Sequence, residues 1–333
     1  MSEIMSAYSF KLINSLFLTL IFFKMNFGLF WFLSAIIFSS AVTFFTNLFY
    51  SKKYISFSLG ADINYLKKIL KLTFPIALSI AFTMIYFRGN TIFLSVFHPQ
   101  KDVGLFNLGY KVLENLIFFP AVLVGLIMPF LSHSALGNSE KFKSVMQRSF
   151  NLLSIGALPM AFGGFFFSPL IVSILGGEDF YLAVLPLKIL LFAVVFIFFG
   201  NLAGNSLIAL NCQKKLAWAY FLGAFFSVFA NVFLISRYSY IGAAWGTLLT
   251  EGLVTILMFA IIFKEINWLP SFQVFLKSAA ASLFMCLPLV FFGAKSIFSY
   301  VFLFFICVFI YFLVLYLIKG ITREDISTLV KIK

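Results

Sequence analysis

Apolar runs of about twenty residues recur along this chain, and each matches the thickness of a bilayer's hydrocarbon core when wound as a helix. That single feature excludes a soluble fold. Apolar types make up 62% of the 333 residues, only 11% are charged, and mean hydropathy is +1.07. A soluble domain needs about a quarter of its residues charged to cover its surface. About 206 apolar residues suffice for roughly ten crossings. The runs are long and do not alternate, so the expected class is an all-α polytopic membrane protein of about ten transmembrane helices, and a β-barrel is excluded. The spans read as 7–23, 27–50, 73–97, 103–131, 148–174, 184–210, 216–236, 240–263, 275–293 and 297–318.

A net charge of +13 would suggest nucleic acid in a soluble protein, but the charges lie in short clusters between spans. They follow the positive-inside bias. With a cytoplasmic N-terminus, sixteen basic residues fall in inner loops, among them Lys52, Lys53, Lys67, Lys68, Lys71, Lys214 and Lys215. Four fall outside: Lys24, Lys101, Arg237 and Lys295. Both termini are therefore expected on the cytoplasmic side of a prokaryotic cell membrane, and the acidic loop Gly176-Gly177-Glu178-Asp179 outside it. The opening Met-Ser-Glu, with Lys11 as first basic residue and no small-residue cleavage site, does not read as a cleavable signal.

Between the second and third spans, Ile63, Leu66, Ile69 and Leu70 share one helical face opposite Lys67, Lys68 and Lys71. This predicts a short interfacial helix capped by Asp62 and stopped near Pro75. Residues 322–329 predict a second amphipathic segment. The 50 phenylalanines are read as lipid-facing, and Cys212, Cys286 and Cys307 as buried apolar thiols without a metal or disulfide framework.

Six ionisable residues remain inside the spans: Lys11, Arg88, Lys111, Glu114, Lys188 and Glu251. A charge near the bilayer centre costs at least ~2.5–3.5 kcal/mol, so each needs a partner or a wet cavity. Lys11 can snorkel from a helix end, and Lys188 either snorkels or joins a cavity. Arg88 and Lys111 fall at one depth on sequential helices. They either wall a cavity that takes an anionic headgroup or are neutralised by Glu114, one turn from Lys111. Glu251 pairs with one of these cations, balances the cavity, or carries a coupling H+ or Na+. The steps Gly200–Gly204 and Gly242–Gly246 predict close helix approach, and Pro75, Pro120, Pro129, Pro159, Pro169 and Pro186 predict kinks. No phosphate loop, metal or hydrolase motif is present, and His98 and His133 read as solvated loop residues on opposite sides of the membrane. No catalytic residue, metal site or organic cofactor is expected.

Tyr86-Phe87-Arg88-Gly89-Asn90-Thr91-Ile92-Phe93-Leu94 and Val103-Gly104-Leu105-Phe106-Asn107-Leu108-Gly109-Tyr110-Lys111, followed by Pro129-Phe130-Leu131-Ser132, resemble the seventh and eighth helices of polysaccharide (O-antigen, Wzx-type) flippases. Segments 175–190, 205–215, 231–251 and 317–326 keep that family's order, so the resemblance covers about residues 60–330. The family belongs to the multidrug/oligosaccharidyl-lipid/polysaccharide exporter (MOP) superfamily, whose members have two six-helix lobes. The resemblance implies a non-enzymatic transporter that flips undecaprenyl-pyrophosphate-linked oligosaccharide by alternating access for cell-surface polysaccharide synthesis. Arg88, Lys111 and Lys188 would bind the headgroup, with Glu114 and Glu251 in charge balance or ion coupling.

It also implies an organisation. Residues 1–50 would be the last two helices of an incomplete N-lobe, 51–72 a linker with the interfacial helix, and 73–263 the six-helix C-lobe. Residues 264–318 would be two additional helices and 319–333 a cytoplasmic tail. Expected partners are the polyprenyl-linked glycan, membrane lipids, and a separate N-lobe polypeptide or other polysaccharide-assembly proteins, but no nucleic acid. Asn90 stands where the family often has Asp, which weakens ion coupling there. The alternatives are a cation-coupled multidrug exporter, an inactive truncated remnant, and, less favoured for want of a large outer loop, a membrane glycan polymerase or ligase.

Overall fold

The structure is a computed structural model that describes residues 29–51, 62–135, 139–291 and 297–320, together with Ile21 and Lys24. The expected first span, the amphipathic tail 322–329, and Lys11, Lys52, Lys53 and Lys295 lie outside the described residues. All regular structure among the described residues is helical: α1 Leu29–Ser51, α2 Ile63–Phe97, α3 Gln100–Leu116, α4 Phe118–Ala135, α5 Ser139–Gly176, α6 Val184–Ala209, α7 Gln213–Ile266, α8 Gln273–Phe291 and α9 Ile297–Leu317. A 3-10 turn, Glu178–Ala183, leads into α6. Among the described residues, seven helices are long and apolar enough to cross a membrane.

Contacts divide the chain into two compact units, Met1–Ile69 and Leu70–Lys333. In the first, the hydroxyls of Thr43 and Thr46 on α1 donate to the carbonyls of Ser39 and Val42 at 2.8 and 2.7 Å, keeping polar atoms satisfied inside an apolar helix. Asp62 Oδ1 accepts the backbone N–H groups of Asn64 (2.9 Å) and Tyr65 (3.2 Å), which is the expected cap. The helix that follows does not stop at Pro75. Proline forfeits one backbone bond, but its fixed φ is helical, so α2 continues.

In the second unit the centre is α6. It is mostly apolar and the most buried of the helices, with Leu187, Leu190, Ala193, Val194, Leu202 and Ala203 inaccessible. Helices α3, α4, α5 and α7 pack around it. Phe106, Phe142, Phe150 and Phe198 are among the largest fully buried side chains, so phenylalanine fills the core here as well as facing outward. The fourth expected span is interrupted at Ile117, between α3 and α4. Pro120 has no N–H to give the Leu116 carbonyl, which explains the break at that turn.

Helix α7 is a folded hairpin of 54 residues. Ser239, at φ 48° and ψ −130°, is the one non-helical residue inside it. A Cβ on Gly242 would lie 2.1 Å from the Leu234 carbonyl oxygen, one on Gly246 2.6 Å from Asn231 Oδ1, and one on Gly223 2.2 Å from Val254 Cγ2. Contacts between 234 and 242, 231 and 246, and 223 and 254 can arise only if two limbs run back antiparallel about Ser239. The expected spans 216–236 and 240–263 are those limbs, joined without a loop. The turn is tied down by α2 and α3. His98 Nε2 donates to the Ile235 carbonyl at 2.8 Å, and the Ser239 hydroxyl donates to the Asp102 carboxylate, which lies 3.9 Å from His98 Nδ1. His98 is therefore a bridging residue rather than a solvated loop residue, because the turn's carbonyl needs a donor. His133 is exposed on the last turn of α4.

Helices α8 and α9 attach to the outside of α5 through Ala281, Met285, Cys286, Cys307, Tyr311 and Leu315. Tyr311 donates to the Ile155 carbonyl at 2.8 Å. At the other end, the Gln147 amide bonds both N–H and C=O of Ser271 (2.6 and 3.1 Å), pinning the α7–α8 connection to α5. Cys286 and Cys307 are buried as expected. Cys212 is not: it is half-exposed between α6 and α7, beside Glu265.

Candidate headgroup groove and polar seam

Arg88 on α2 and Lys111 on α3 converge on one carboxylate. Arg88 Nη1 lies 3.1 Å from Glu114 Oε1, and Lys111 Nζ 3.3 Å from Glu114 Oε2. Lys111 and Glu114 meet because residues three apart share a helix face. Arg88 is brought to them by the α2–α3 packing, where the Tyr110 hydroxyl donates to the Phe87 carbonyl at 2.9 Å. Neutralisation by Glu114 and a cationic wall therefore coexist, since two cations on one carboxylate leave a net charge of +1. The cations remain open, with side chains 64% and 72% exposed against 26% for Glu114.

Arg88 and Glu114 line a groove of about 420 Å³ with Thr83, Asn201, Asn205 and Tyr220. The asparagines sit at i, i+4 on α6, and Asn205 Nδ2 donates to the Asn201 carbonyl at 2.9 Å. On the opposite face of α3, Val112 and Leu116 border a second and larger groove of about 760 Å³. Its walls, from α5 and α9, include Pro159, Gly163, Phe167, Phe304 and Tyr311 and are almost wholly apolar. A charged groove and a greasy one thus flank a single helix.

Lys188 does not join the cationic pair. Its Nζ sits over the Phe165 ring of α5, 4.6 Å from the centroid, a cation–π contact that anchors it within the helix pair.

Glu251 on the second limb of α7 is buried, and its Oε1 has no hydrogen-bond partner. Among the described residues no cation pairs with it, so the expected salt bridge is absent. Arg88 and Lys111 are held by Glu114 in the open groove instead. Glu251 belongs to a polar seam. One turn away, Thr247 Oγ1 accepts from Asn90 Nδ2 (2.6 Å) and donates to the Ala243 carbonyl (3.0 Å). Asn231 Nδ2 donates to Asn90 Oδ1 (2.5 Å) and Ser227 Oγ (3.2 Å). Thr255 donates to the Phe196 carbonyl of α6 at 2.9 Å, and lies against Gly200. The seam joins α2, α6 and both limbs of α7 with neutral hydrogen bonds, and Asn90 is one of its structural members. Sequence reading missed Asn201, Asn205, Ser227, Asn231 and Thr247. Their signal was a polar residue recurring at i+4 in otherwise apolar helices.

Comparison with known proteins adds the following. A family model described as polysaccharide biosynthesis protein matches residues 2–185. The probable low-salt glycan biosynthesis flippase Agl15 of Haloferax volcanii is 27% identical over 165 residues, which are 49% of this chain and 35% of that protein. Lipid II flippase MurJ, in its inward closed conformation, superposes with a TM-score of 0.76 at 16% identity over 92% of this chain and 65% of that one. A MOP superfamily transporter from Pyrococcus furiosus superposes with a TM-score of 0.52 at 20% identity, over 67% of this chain and 54% of that one. These structural likenesses establish the all-α polytopic transporter fold. The chain spans about a third of the curated flippase it matches and about two thirds of MurJ.

Proposed function

The chain belongs to the polysaccharide biosynthesis protein family, and from that premise we propose that its second unit is the substrate-handling lobe of a flippase for polyprenyl-pyrophosphate-linked oligosaccharide. The observation that carries this reading is the pair of grooves about α3. Arg88 and Lys111 present two open cations to an anionic headgroup, with the Arg fork suited to bidentate phosphate contact. The apolar groove on the other face of the helix suits a polyprenyl tail. Glu114 orients the two cations in advance and trims their charge, so that the headgroup is held without being trapped. Transport by rocking uses two lobes, and this unit is read as one of them. The basic-residue asymmetry supports a topology with both termini on the cytoplasmic side of the cell membrane. The work is binding and translocation, with no covalent step. A net positive groove disfavours cationic drugs as cargo.

The test is lipid binding by the full chain in nanodiscs. Undecaprenyl pyrophosphate should bind more tightly than undecaprenol, and the double variant Arg88→Ala/Lys111→Ala should reduce that preference about tenfold or more, equivalent to ~1.4 kcal/mol. Equal affinity for the two lipids, or an unchanged preference in the double variant, removes the groove assignment.

A further inference from the structure

We infer that the crevice between α2 and the start of α7 is a binding site for an anionic phospholipid, with one acyl chain between the two helices and the phosphate at Lys214. The site is separate from both grooves about α3, and the inference does not rest on the flippase reading.

The crevice, of about 340 Å³, has one wall from each helix. Phe74, Leu78 and Phe82 recur every four residues and form a ladder along one face of α2. Trp218 and Phe221, one turn apart, form the facing wall on α7. The walls meet at the deep end. There the Phe82 and Phe221 rings lie edge to face at 5.3 Å, and the Trp218 ring stands at a right angle to Phe221 at 5.4 Å. The crevice is thus open at the start of the two helices and floored by aromatic rings.

Its length selects the occupant. The apolar stretch of α2 begins at Thr73, so Phe74 marks the edge of the hydrocarbon. From Phe74 to Phe82 the crevice descends about 12 Å at 1.5 Å per residue. One leaflet's hydrocarbon is about 15 Å deep. The crevice therefore holds most of one acyl chain and closes before the midplane. A membrane-spanning partner helix needs twice that depth, and an undecaprenyl chain is far too long to be housed there.

The charge at the mouth selects the headgroup. Lys214 stands exposed in the first turn of α7, and it is the one charged residue lining the crevice among the described residues. Its neighbour Lys215 is committed to Glu265, whereas Lys214 has no ion-pair partner among the described residues. One turn deeper, Trp218 is 65% exposed, an indole at the boundary where its ring meets hydrocarbon and its N–H meets headgroups. A lone cation above an apolar slot fits a lipid whose phosphate carries no compensating ammonium. On the topology proposed above, that lipid belongs to the cytoplasmic leaflet.

Quenching of tryptophan by brominated lipids tests this with the full chain in bilayers. Phosphatidylglycerol and phosphatidylcholine, each with brominated acyl chains, are titrated separately. The part of the emission that Trp218→Phe removes should be quenched at about fivefold lower mole fraction of phosphatidylglycerol, the effect of one lysine at a membrane surface. Lys214→Gln, at an exposed position, should bring the two curves together. Equal quenching by the two lipids in the wild type overturns the inference, as does a preference that survives in Lys214→Gln. Quenching by neither overturns it as well, since protein then covers the crevice, whether another segment of this chain or a second copy. Relief of the quenching by undecaprenyl phosphate at lower mole fraction than by unbrominated phosphatidylglycerol would assign the crevice to the transported lipid and has the same consequence. No residue of the headgroup groove is altered, so each of these failures leaves the flippase reading standing.

Discussion

Glu114 and Glu251 belong to the same helical unit, yet their surroundings are opposite. Glu114 stands at the edge of an open groove and collects two cations. Glu251 stands in the packed seam between the limbs of α7 and collects none. Water explains the difference. Where a groove admits solvent, long cationic side chains keep their heads hydrated and still share a carboxylate. Where glycines bring backbones into contact, no room is left for a guanidinium or an ammonium. Ionic groups therefore gather at the groove, while the seam is built from amides and hydroxyls bonded to one another, with Asn231 Oδ1 left over. A single carboxyl in such a seam is a group whose charge state depends on what reaches it.

The largest expected effect comes from breaking the seam. Gly242→Leu would drive a side chain into the Leu234 carbonyl, a backbone atom that cannot move aside, and should destabilise the lobe by on the order of 3 kcal/mol. Size-exclusion chromatography in detergent should show little monodisperse protein. Gly125→Leu on α4, where a Cβ meets nothing within 4 Å, should elute as wild type and provides the control. Equal behaviour of the two would mean that the limbs are not in contact.

A smaller effect sharpens the contrast between the carboxylates. Glu114→Gln changes the groove's net charge from +1 to +2, and should bind undecaprenyl pyrophosphate several-fold more tightly at low salt, less so at high salt. Stability should shift little, because ion pairs this exposed contribute about 0–1 kcal/mol. Unchanged affinity would show that the headgroup does not sense this groove.

The smallest effect lies at the α6–α7 connection. Burial, then the carboxylate of Glu265, push the Cys212 thiol above its ordinary range, so less thiolate is present at a given pH than on a free cysteine. Glu265→Gln removes the second cause and leaves the first. Maleimide labelling at mildly alkaline pH should therefore quicken modestly, with the rate–pH curve moved to lower pH. Cys286 and Cys307 are buried and should stay slow in both proteins. A slower rate in the variant would reverse the sign of the Glu265 contribution.

Much of the fold was legible from residue order. Spans at 184–210, 216–236 and 240–263 follow from apolar length alone, because lipid demands that backbone groups be satisfied within each segment. The cap at Asp62 and the close approach at Gly200, Gly204, Gly242 and Gly246 were equally local signals. Helix continuity was not. Whether Pro75 ends a helix depends on what holds the adjoining turns, and that reading went the other way, whereas the helix does break at the turn where Pro120 was expected to kink it.

Sequence by itself determined that the chain crosses a membrane as helices, which residues are too polar for lipid, and that Arg88, Lys111 and Glu114 are near enough along the helices to meet. These are one-dimensional properties, set by run length and by spacing on a helix. Tertiary structure alone decided the partners. It gave Glu114 both cations, sent Lys188 to Phe165, folded α7 back at Ser239, and left Glu251 buried with an unpartnered oxygen. The reason is that a side chain's electrostatic fate depends on its neighbours in space, and close packing admits only those that fit.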